Sequence, residues 1–155
     1  MAGARRAQWW IVVLWAALAL SGCGLLDRDS GRSASTLRAD LAATLAELRA
    51  AQASALDLWT RVIDGETVSC QEAIPVPEAF ALTAGEGKAV PAAATAAALL
   101  DEARRGVQDA AALWDIECAD ERPAVPLEVA RQGRASALAA ATPLDQADAL
   151  LAVWP

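Results

Sequence analysis

Residues 36–64, TLRADLAATLAELRAAQASALDLWTRVID, decide the fold class. Leu37, Leu41, Leu45 and Leu48, then Leu56, Trp59 and Ile63, recur at steps of three and four or their sums. Asp40, Glu47, Arg49 and Arg61 fall off that stripe. This is the period of a helix that buries one face. Ser35 suits an N-cap and Gly65 the position just past a C-terminus, so the spacing predicts a helix over about residues 36–64. At 1.5 Å per residue such a helix is ~40 Å long.

The same period continues downstream. A second helix is expected after Pro91, whose ring suits a first turn, with Leu100, Ala103, Val107, Ala110 and Trp114 buried. Glu102, Arg104, Arg105 and Asp109 then face water. A third helix is expected over about residues 126–141, weakened at Gly133 by about 1 kcal/mol relative to alanine. Thr142-Pro143-Leu144-Asp145 reads as the start of a fourth, with a hydroxyl cap, a first-turn proline and an early acid. Leu144, Ala147, Leu151 and Trp154 give it an apolar face. No alternating stretch is long enough to argue for a sheet. The expected architecture is all-α, a small bundle of about four helices, mostly antiparallel.

The connection from Glu66 to Val90 is longer than most loops in compact domains, so it is either functional or has a short helix of its own. Pro77–Leu82 is expected to form one or two turns closed by Gly85, with Phe80, the only phenylalanine, plugging the bundle.

The N-terminus follows other rules. Met1–Arg6 carries Arg5 and Arg6 and no acid, and Gln8–Leu20 carries no charge. Leu20-Ser21-Gly22-Cys23 follows directly, and this stretch resembles the lipobox of bacterial lipoprotein signal peptides. The resemblance implies cleavage between Gly22 and Cys23 and a diacylglycerol thioether on Cys23, with further acyl chains such as palmitate. Residues 1–22 are then the signal peptide, 23–35 a lipidated cysteine and flexible tether, and 36–155 a single helical domain. The apolar core is shorter than the roughly 20 residues of a full span, although the uncharged stretch Ala7–Leu26 is also compatible with an uncleaved transmembrane anchor. Two or more acyl chains hold a protein on a membrane stably, whereas one gives only marginal binding. The implied location is extracytoplasmic, at the cell envelope, with the membrane reached through the lipid anchor.

The chain has 13 basic and 20 acidic residues; loss of Arg5 and Arg6 leaves 11 against 20, a net charge of about −9. That balance disfavours nucleic acid and anionic headgroups. In an exported chain without histidine, Cys70 and Cys118 are expected to form a disulfide rather than a metal site. No metal or diffusible cofactor is expected. Each of these cysteines follows a Leu-Trp pair, at gaps of eleven and four, and opens a Cys-x4-Pro stretch. Chance accounts for this echo better than duplication does.

Catalysis finds little support. Histidine and tyrosine are absent, removing the commonest general base and the phenol donors. Asp64/Glu66, Asp101/Glu102 and Asp115/Glu117 read as solvated acid pairs, and Ser54, Ser69 and Ser136 have no evident base. Gly85-Glu86-Gly87-Lys88 lacks the spacing of a phosphate loop. The expected role is non-catalytic, an interaction or structural function with an envelope protein as partner. The alternative is a small-ligand or sensory domain with an interhelical pocket lined by Trp59, Arg61 and Trp114; Trp154 is a further candidate wall.

Overall fold

A computed structural model describes residues 31–119 and 124–154, and residues 32–155 form one compact unit. The leader, Cys23 and the first part of the tether lie outside the described residues. Among those described there is no strand. The elements are α1 (Ala34–Ile63), the short α2 (Ala84–Ala89), α3 (Pro91–Ala119), α4 (Leu127–Ala139) and α5 (Ala141–Val153). The all-α bundle with four long helices expected from the periodicity is present.

Helix α1 starts two residues earlier than expected, at Ala34. Ser33, not Ser35, is the N-cap, and its Oγ accepts from the Thr36 amide at 3.1 Å. At the other end Gly65 adopts φ +82°, which side chains with a Cβ rarely tolerate. There the Gly65 amide bonds the Val62 carbonyl and the Glu66 amide bonds Arg61, the paired closure of a Schellman motif. The buried stripe is Leu37, Leu41, Leu45, Leu48, Ala51, Ala55, Leu58 and Trp59. Leu56 and Ile63, expected on it, are only partly buried. Ala51 and Ala55 continue the spacing of three and four from Leu48, which rotates Leu58 inward instead.

Arg32, immediately before this helix, belongs to the folded unit. Its amide and Nε both bond Glu86 Oε1, at 3.0 and 2.9 Å, and its Nη2 bonds Oε2 at 3.1 Å. Nη1 reaches Asp40 at 3.2 Å, Nη2 also meets the Ala81 carbonyl, and the guanidinium lies 4.9 Å from the Phe80 ring centre. Phe80 is therefore a platform for Arg32, partly buried against the core, rather than a plug.

Residues 77–82 are not helical. The turn forms one step later, because Thr83 and Glu86 make a reciprocal capping box: Thr83 Oγ1 accepts from the Glu86 amide, and Glu86 Oε2 accepts from the Thr83 amide. Gly85, expected to close a turn, lies inside α2. Val90 separates α2 from α3 in an extended conformation (φ −130°, ψ 82°), as the residue before a proline must.

Cross-links fix the directions of the helices. Arg32–Glu86 joins the start of α1 to α2, beside the start of α3, while Cys70–Cys118 joins the segment after α1 to the end of α3. Helices α1 and α3 are thus parallel. Residues 64–83 form a strap that carries the chain back along the bundle, with Ile74 buried and Val68, Phe80 and Leu82 packed on the core. Helices α4 and α5 run antiparallel to both. Trp59 meets Gly133, Gln52 bonds the Ala137 carbonyl, Arg49 pairs with Asp148, and Arg38 bonds the Leu151 carbonyl.

The break between α4 and α5 comes from Pro143. Its ring leaves no amide for the Ala139 carbonyl and crowds it, so the helix cannot run through. Ala140 alone makes the joint, at φ −70° and ψ −17°, and Thr142 is not the cap. Pro143 lies in the first turn, as expected. Leu144, Ala147, Leu151 and Trp154 are all buried, as is the α3 stripe.

Small residues set the helix spacing. A Cβ on Gly106 would lie 2.9 Å from the Ser136 carbonyl oxygen and 3.2 Å from the Ala140 amide nitrogen. One on Gly133 would lie 2.2 Å from Cε2 of Trp59, an indole with no exposed surface.

Gly133→Ala therefore decides between two signs. Helix propensity alone gives a gain of about 1 kcal/mol. The Trp59 clash reverses it to a loss of about 1–3 kcal/mol, read as a lower midpoint in urea denaturation. Acid sensitivity is a second test. Hydrogen bonds from Arg32, then from Thr83, hold the Glu86 carboxyl far below the ordinary carboxylate range. A depressed folded-state value contributes stability that is complete above the unfolded value of about 4.3 and fades as pH falls further. Glu86→Gln should lower stability at pH 7 and flatten its decline below pH ~4.3, measured by thermal melts across pH.

Candidate functional site

The strap is fastened to the bundle where α1 and α3 end. Cys70 and Cys118 form a disulfide with their Cα atoms 5.5 Å apart, as the cysteine census predicts. Two residues on, the Glu72 carbonyl accepts from Trp114 Nε1 at 2.7 Å. The Glu72 carboxylate pairs with Arg61, whose Nη2 contacts Oε2 while Nη1 lies 3.4 Å from Oε1. Arg61 Nε also bonds Asp57 one turn earlier, at 3.0 Å. The hydrogen bond to Glu72 raises the Arg61 pKa, and the same bond lowers that of Glu72.

Beneath these contacts Trp59 and Trp114 meet edge to face, with ring centres 5.7 Å apart at 90°. Such a pair contributes about 0.5–1.5 kcal/mol beyond burial. Trp59 Nε1 is buried without a hydrogen-bond acceptor among the described residues.

A cleft of about 270 Å³ opens at this end of the bundle. Val62, Val68 and Val125 supply apolar walls, the disulfide and the Trp114 indole line it, and Glu66 and Glu117 are its acids. Glu117 is 8% exposed. Of the three residues expected to line a pocket, only Trp114 does so. Trp59 is sealed against Gly133, and Arg61 is committed to Asp57 and Glu72 outside the cleft. Trp154 closes α5 within the core. Sequence reasoning missed Glu66, Val68 and Val125 as cleft residues. The long connection after α1 was the signal present for the first two.

Two of the other candidates are taken up in structural contacts. Asp101 pairs with Arg104 at 3.0 Å, and Glu86 is locked to Arg32 inside the Gly85–Lys88 segment. Leu20-Ser21-Gly22-Cys23, with the Gly22/Cys23 cleavage position, lies outside the described residues. Among the described residues no helix is long and apolar enough to cross a membrane, and no group of three or more His, Cys, Asp or Glu side chains is placed to hold a metal ion.

The molecule defines itself as a small all-α domain with one disulfide and a cleft at one end. No protein-family model matches the chain, and no curated protein or solved structure is significantly similar to it.

The disulfide spans 48 positions in sequence. In the chain-entropy model, closing such a loop contributes about 4 kcal/mol. Replacing both Cys70 and Cys118 by serine should remove about that much, seen in chemical denaturation without reductant.

Proposed function

We propose that this protein is a bacterial lipoprotein, held at the membrane by lipid on Cys23, whose acidic helical domain acts by non-catalytic contact with a protein partner at the cell envelope. The observation that carries this reading is the division of the three cysteines. Two lie in one disulfide, a bond that persists in oxidising compartments, and Cys23 is left at the end of an apolar leader.

The boundary of the folded unit is in keeping with a tether. It starts at Arg32, nine residues after Cys23, and the intervening residues 24–31 hold two glycines, one serine and three charges. The non-catalytic part of the reading is supported by the absence of histidine and tyrosine. It is also supported by the commitment of Asp40, Asp57, Glu72, Glu86, Asp101, Asp145 and Asp148 to arginine.

Cys23→Ser tests the anchor. The expected result is an unlipidated precursor that accumulates with residues 1–22 uncleaved, where the native protein is cleaved and carries lipid. A native protein whose mass retains residues 1–22 and carries no lipid would overturn the reading in favour of a transmembrane span.

A further inference from the structure

We propose that the cleft at the disulfide-bearing end is a binding site for a small organic cation, an alkylammonium with a short apolar body. This goes beyond the envelope role and does not depend on it.

The first argument is electrostatic and follows from topology. Because α1 and α3 are parallel, both present their C-terminal ends here, each equivalent to about −0.5 elementary charge. Helix α3 has no basic residue in its last turn. Arg61, the basic residue in the last turn of α1, is engaged by Asp57 and Glu72. Glu66 lines the cleft, and no lysine or arginine does so among the described residues. A site with these surroundings favours positive charge.

The second argument concerns shape and surface. Trp114 donates its Nε1–H to the Glu72 carbonyl, so a cleft occupant meets carbon and ring surface rather than a free donor. An ammonium within about 6 Å of an indole is attracted by the negative face of the ring. Val62, Val68, Val125 and the disulfide are walls that a bare metal ion could not use, but a methylene or aryl body could. The volume of about 270 Å³ falls just below the range of small-molecule pockets, about 300–1,000 Å³, so the occupant is small.

The test uses the full-length chain in a non-ionic detergent, labelled with ¹⁵N, and benzyltrimethylammonium chloride as the probe. Benzyl alcohol and benzoate serve as neutral and anionic controls. The expected result is saturable shifts confined to the Trp114 indole and the amides of Glu66–Val68 and Cys118. Glu66→Gln, an exposed change, should weaken binding about fivefold. Val68→Trp should fill the cleft and abolish it, with the spectrum otherwise preserved. No shifts at millimolar probe would overturn the proposal. So would equal binding of benzoate or benzyl alcohol, or shifts indifferent to both variants.

Discussion

The indole of Trp59 rests on bare backbone at Gly133, and the rest of the bundle is arranged around that contact. Trp59 comes from α1, meets the Trp114 ring of α3 edge to face, and leaves no room for a Cβ on α4. Three columns are thereby brought to one spacing at one height. Truncating a tryptophan buried this way typically costs about 3–5 kcal/mol. Farther along, Gly106 and the buried alanines 103, 110, 137 and 140 keep the columns close. An alanine-rich chain supplies little apolar area per side chain, so close backbone approach and a few large rings must do more of the packing.

Topology follows from the strap. Helices α3 and α4, seven residues apart in sequence, lie antiparallel. Helix α1 cannot reach α3 in that way, because residues 64–83 cross back along the bundle before α2 begins. The result puts two helix C-termini, two tryptophans and both cysteines together. The Leu-Trp…Cys echo in the sequence acquires a physical meaning here without any need for duplication. Two parallel helices present equivalent heights to each other, and each contributes an indole to the edge-to-face pair, while the sulfurs come from the end of α3 and from the strap that follows α1.

Much of the fold is legible where leucines recur at helical spacing: Leu37, Leu41, Leu45 and Leu48, and the last face from Leu144 to Trp154, are buried as read. Alanine is silent by comparison, which is why the α1 stripe was carried to Leu56 instead of through Ala51 and Ala55 to Leu58. Gly133 was read as a propensity cost, since nothing local reveals an indole arriving from 74 positions earlier. The capping box at Thr83–Glu86 was there to be read, but the prolines just before it drew the turn upstream. For the cleft, hydrophobic tryptophans were the visible candidates. Only the fold separates Trp114, which lines the cleft, from Trp59, which does not.

Arg32 also determines how the domain carries mechanical load. Its backbone amide and its guanidinium are both held by Glu86, and the guanidinium further engages Asp40 and the Ala81 carbonyl. Tension in the chain before Arg32 therefore enters three segments together: the first turns of α1, the strap and α2. It cannot unwind α1 from its first residue until that clamp has failed. A protein pulled from its N-terminal side is in this way gripped one residue ahead of its first cap, by contacts that share the force.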